Sequence, residues 1–149
     1  MKIDFVKENR IEDLGIRVRA IIGVPEEILT DDIISSPTFL IKAEKFINNK
    51  IADFENIELD MNLINISYLY YVCYLLCSGM YARLPKQMEN LSTKTILPTI
   101  NWDELALDML NKANETIDEA LEEFIEDDGT LGNTFAVLSA ESEYPNTTI

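Results

Sequence analysis

Apolar residues recur at helical spacing along most of the chain. Between residues 8 and 22, Ile11, Leu14, Val18, Ile21 and Ile22 fall at three- and four-residue steps, which predicts a short amphipathic helix ended by Gly23. Pro25 breaks the pattern, and Thr30-Asp31-Asp32-Ile33 starts a brief turn that Ser36-Pro37 stops. Serine can cap a helix, and proline suits the first helical position because its missing N–H would have had no partner there. A second helix therefore runs from Pro37 to about Phe54, with Phe39, Ala43, Phe46, Ile47 and Lys50 along one stripe. Asp60 is the expected cap of a third helix, which ends before Pro85. Residues 85–100 hold two prolines and no helical period, and so read as a connector with a short extended piece at Thr93–Leu97. Asn101 and Glu104 form a capping-box variant that opens a fourth helix. Its stripe is Trp102, Leu105, Ala106, Met109, Ala113, Ile117, Ala120, Leu121 and Phe124, and Gly129 closes it. At about 1.5 Å per residue, residues 102–127 span roughly 39 Å.

The third helix raises the membrane question, because no charged residue occurs from Met61 to Ala82. Asn62, Asn65, Ser67 and Ser78 interrupt that stretch, and its uninterrupted apolar part, Tyr68–Cys77, holds four tyrosines whose hydroxyls need partners. The expected arrangement is a central helix wrapped by the others, with Tyr68, Val72, Leu75, Leu76 and Met80 in the core and no membrane contact. Cys73 and Cys77, one helical turn apart, read as two small buried thiols. The final residues are polar and turn-rich around one strand-like hexamer, Thr134–Ser139. A lone strand leaves unpaired N–H and C=O groups, so this tail is expected to order only against another chain, with Phe135, Val137, Leu138 and Tyr144 as its anchoring residues. The fold class expected is all-α: a small helical bundle of about four helices over residues 1–129, followed by an extended C-terminal tail over residues 130–149.

Charge narrows the functional classes. The 149 residues carry 27 acids against 12 bases, a formal net charge of −15. Such a surface repels phosphate, which disfavours charge-driven binding of nucleic acid or anionic membranes. Histidine is absent, which removes Ser-His-Asp and Cys-His triads and histidine-ligated zinc. The acids concentrate in the last third, where residues 101–149 hold thirteen acids and one base, Lys112. Along the fourth helix Glu115/Glu119, Asp118/Glu122, Glu119/Glu123, Glu122/Glu126 and Glu123/Asp127 are like-charge pairs one turn apart. Each such pair destabilises an isolated helix by about 0.2–0.5 kcal/mol, and acids near a helix C-terminus also oppose the macrodipole. One reading is a solvated acidic face. The other is electrostatic function: a wall that DNA passes without sticking, with Glu119, Glu122, Glu123 and Glu126 lining a channel, or a surface that mimics DNA. Glu126-Asp127-Asp128-Gly129 lacks the alternating ligands of a calcium loop, and a carboxylate di-metal bundle normally needs Glu-x-x-His. Nothing marks two carboxylates as buried in a pocket. No catalytic, cofactor-binding or metal residue is assigned, and an enzyme is not expected.

Three segments resemble the small helical head–tail connector proteins, also called adaptor or head completion proteins, of tailed phages and prophages. The first is Val24–Ile51, VPEEILTDDIISSPTFLIKAEKFINNKI, with an acidic turn, a proline-started helix and Ala43-Glu44 in its middle. The second is the charge-poor helix rich in aromatic and small residues, and the third is the Trp102-Asp-Glu-Leu-Ala-Leu-Asp-Met-Leu helix after a Ser/Thr-rich connector. The resemblance implies a structural virion protein, assembled in the host bacterial cytoplasm. Copies would form a ring of about twelve between the capsid portal and a tail-side connector or tail terminator protein, extending a channel through which DNA passes without specific binding. The alternative function is an acidic DNA-mimic inhibitor of a DNA-binding protein.

Overall fold

The computed structural model describes residues 2–54, 58–81 and 100–127, with backbone alone at 123 and 125–127. Its helices are α1 (Leu14–Ile22), α2 (Asp31–Ile34), α3 (Pro37–Ile51), α4 (Met61–Ser78) and α5 (Trp102–Asp127), a small all-α bundle. The brief turn expected after Thr30 is the single helical turn α2. The connector piece Thr93–Leu97 and the tail residues Phe135, Val137, Leu138 and Tyr144 lie outside the described residues.

Several helix starts follow from local chemistry. Asp60 caps α4, its Oδ1 accepting from the N–H groups of Asn62 (3.0 Å) and Leu63 (3.4 Å). Asn101 Oδ1 accepts from the Glu104 N–H at 3.1 Å at the head of α5. Pro37 holds the first position of α3, but Ser36 makes no side-chain capping bond, so that part of the expectation is corrected. Gly23 ends α1 at φ 85°, left-handed backbone that suits glycine. A Cβ at Gly15 would displace the Asp31 carboxylate, the movable end of an exposed side chain that pairs with Arg19 at 2.8 Å.

α4 is the axis, with α5 packed along it and α3 and α1 on its other flanks. Apolar all round, it buries Ile64, Ser67, Tyr68, Leu69, Val72, Cys73, Leu76 and Cys77. Leu75 corrects the expected core: it is half-buried, on the same flank as Tyr71 and Tyr74, and Leu76 fills the centre at that turn. The one buried polar residue described, Ser67, donates its hydroxyl to the Ala113 carbonyl at 2.7 Å, tying α4 to α5 at a point where both side chains are small. Among the described residues no helix is long and apolar enough to cross a membrane.

Two further boundaries differ from the periodicity. α3 buries Leu40, Ala43, Ile47 and Ile51, while Phe39 and Phe46 are half-buried and Lys50 is exposed. The buried stripe is therefore turned by about one residue, and Phe46 lies along the seam, stacked on Tyr71 of α4. α1 begins at Leu14 and not near residue 8. The preceding residues form a strap across the bundle that buries Ile3, Phe5 and Ile11. The Asn48 side-chain amide accepts from the Ile3 N–H (2.7 Å) and donates to the Ile3 carbonyl (2.9 Å), satisfying both backbone groups as a neighbouring strand would. Phe5 stacks on Tyr68 with ring centroids 4.1 Å apart and planes within 7°.

Cys73 and Cys77 are buried and form no disulfide, as their spacing predicts. Burial pushes the Cys73 thiol well above its ordinary value near 9.0, helped by Cys77 and opposed by a backbone hydrogen bond. The Tyr68 phenol rises from 10.0 for the same first reason, with the Glu44 carboxylate adding to it. Both groups stay neutral in the folded protein and ionise in the unfolded chain. Stability from them is complete below about pH 8.5, begins to fall as pH climbs past 9 and 10, where the unfolded chain ionises, and is fully lost only above the raised folded-state values. Urea midpoints are expected to be flat from pH 7 to 8.5 and to fall by pH 10.5, less steeply in Cys73→Ala. A flat profile to pH 10.5 would contradict the burial of both groups.

Candidate functional site

The structure presents two charged surfaces, one of which the sequence singles out. On α5 the 3.6-residue period turns Ala113, Ile117, Ala120 and Leu121 into the bundle and leaves Glu115, Asp118, Glu119 and Glu122 exposed. Glu119 and Glu122, two of the four residues expected to line a channel, thus belong to one acidic stripe with Glu115 and Asp118. Glu123 and Glu126 lie on the same helix, but their side chains are outside the described residues. The helix's single base is already engaged: Lys112 Nζ sits 3.2 Å from Asp108 Oδ2 and 5.9 Å from the centre of the Tyr70 ring. Among the described residues, none of the four acids of the stripe is in an ion pair. Exposed side chains repelling one another in this way give a further expectation. Glu119→Lys with Glu122→Lys should leave the thermal midpoint unchanged or slightly raised, since like-charge pairs are relieved and bases favour a helix C-terminal half. A drop of several degrees would show that these acids make stabilising contacts.

The second surface was not anticipated from periodicity. An open groove between α3 and α4 is lined by Lys42, Lys45, Phe46, Asn49, Lys50 and Tyr71. Its floor is aromatic: Phe46 stacks on Tyr71 at 4.1 Å and 16°, and Tyr71 meets Tyr74 edge-on at 5.2 Å. Partial burial, then the neighbouring Tyr74, raise the Tyr71 phenol above its ordinary value, so the ring stays neutral at physiological pH. Lys50 Nζ lies 5.9 Å from the Phe46 ring centre, within cation–π range. α3 holds three of the chain's twelve bases against one acid, Glu44, in a protein of net charge −15. That local reversal of sign marks the lysines in the sequence but not the groove they line.

Chemically the two surfaces offer opposite charges for binding. The stripe's carboxylates are exposed, and the groove brings lysine amines and the Tyr71 phenol to one surface. Among the described residues no group of three or more acids and cysteines is placed to hold a metal ion. No protein-family model matches the chain, and neither a similar curated protein nor a similar solved structure was found.

Proposed function

We propose that the chain is a structural subunit of a phage head–tail connector, forming a ring that joins the portal to the tail and extends the DNA channel. The observation that carries this reading is the acidic surface, a net charge of −15, with the exposed row Glu115–Asp118–Glu119–Glu122 on the longest helix left unpaired within one copy among the described residues. A ring of copies that each carry a net charge of −15 repels the phosphates of passing DNA and keeps the duplex from adhering. The rule-breaking run of like charges fits a surface kept for function at some cost to the helix. The segments that resemble connector proteins support the same reading, with the portal on one side, a tail-side connector or terminator on the other, and about twelve copies in the ring. The four acids of the stripe occupy one flank of α5 while the α3–α4 groove is basic, which favours a connector over a DNA mimic whose carboxylates would cover a whole face.

Gold labelling of a tagged chain in particles purified from its native host is expected to mark the head–tail junction. A tagged chain that is missing from particles and is recovered bound to a DNA-binding enzyme would overturn the proposal in favour of the DNA-mimic alternative.

A further inference from the structure

The groove and the stripe are opposite in sign and similar in length. Lys42, Lys45 and Asn49 stand at i, i+3 and i+7 on α3, with Lys50 one residue on, and all four are exposed. Glu115, Asp118, Glu119 and Glu122 stand at i, i+3, i+4 and i+7 on α5, and all four are exposed. At about 1.5 Å per residue the two rows are each roughly 11–12 Å long. Neither row answers the other within one copy. α3 and α5 pack on α4 and barely touch each other, and no ion pair joins the two sets among the described residues.

We propose that these are the two halves of one interface between copies of this chain: the Lys42–Lys45–Lys50 groove of one copy receives the Glu115–Glu122 stripe of the next. The proposal deepens the ring reading and rests on it only for closure. Because the two patches differ, the contact is head-to-tail. Each docking leaves a free groove at one end and a free stripe at the other, so addition continues until a ring closes. Phe46 and Tyr71 supply the apolar floor, and the methylene stems of lysine and glutamate pack over it while their charges pair. Copies of net charge −15 repel at long range. Salt limits that repulsion to about 8 Å at physiological ionic strength, so the local pairing decides the contact. The same repulsion disfavours docking through any face but the basic one. A nucleic acid in the groove is the weaker occupant, since the whole chain repels phosphate.

The test is sedimentation velocity on the full chain over a wide concentration range at about 150 mM salt, with helical content checked by circular dichroism. The wild-type chain is expected to self-associate with rising concentration. Lys42→Glu/Lys45→Glu/Lys50→Glu and Glu115→Lys/Asp118→Lys/Glu119→Lys/Glu122→Lys should each weaken self-association by about ten-fold or more. The milder Lys42→Gln/Lys45→Gln pair should give a smaller loss, and serves if a reversal variant fails to fold. Mixing the two reversal variants in equal amounts should restore assembly, because a copy with two acidic faces alternates with a copy with two basic ones. A wild-type chain that stays monomeric, reversal variants that associate like wild type, or a mixture that fails to assemble would each overturn the interface. So would a monomer that binds single-stranded DNA or an acidic peptide through the lysines. Self-association by this rule in a chain absent from the head–tail junction would sink the connector reading and leave the interface standing. Rings at the junction indifferent to both reversals would do the opposite.

Discussion

Truncating Phe5 to alanine is expected to lower folding stability by about 3–5 kcal/mol, the range for removing a buried aromatic ring. Residues this close to a chain end usually fray, and their substitution usually matters little. Here the ring is only 3% exposed and lies flat against Tyr68, 4.1 Å between centroids. Removing it uncovers one face of Tyr68 at the centre of the bundle. Phe5→Leu should lose much less, because it keeps most of the volume and gives up only the stacking. Asn48→Ala should lose about 1–3 kcal/mol, since the strap's backbone at Ile3 then has no partner for its N–H or carbonyl. Urea denaturation monitored by circular dichroism measures all three. A loss below half a kcal/mol for Phe5→Ala would mean that the strap is open in solution.

Replacing Leu76 by alanine is expected to cost about 2–5 kcal/mol, because the side chain is fully enclosed where α4 meets its neighbours. The adjacent Leu75→Ala is the control. Leu75 is half-buried on the Tyr71–Tyr74 flank, so its truncation leaves a dent open to water and should cost less than half as much. Equal losses at the two positions, read from urea midpoints, would show that the face of α4 turned to the core is misassigned.

The contrast between those leucines has a physical origin in α4 itself. From Met61 to Ser78 its residues are apolar on every side or small and polar, so the 3.6-residue period has no polar face to set against a buried one. The sequence shows that such a helix must lie at the centre. Which of Leu75 and Leu76 is enclosed depends on where α1, α3, α5 and the strap press against it. α5 is the opposite case. Its polar and apolar residues alternate with a clean period over 26 residues, and each position in its expected stripe whose side chain is described is buried or half-buried. The exposed acids Glu115, Asp118, Glu119 and Glu122 were legible for the same reason: they are what remains once that stripe is turned inward.

What the sequence by itself determined is therefore local: the all-α class, the capping of α4 by Asp60, the start of α3 at Pro37, the buried thiols and the acidic stripe. Each depends on residues within a turn or two of one another, where spacing and side-chain chemistry suffice. Tertiary structure alone decided the strap and the groove. Asn48 is 45 residues from the Ile3 backbone it completes, and no period relates them. Lys42, Lys45 and Lys50 become a basic groove only when α3 lays Phe46 against Tyr71, which lies on a different helix. Contacts of that kind are chosen by how the helices pack, because the packing that buries the most apolar surface sets which distant side chains meet.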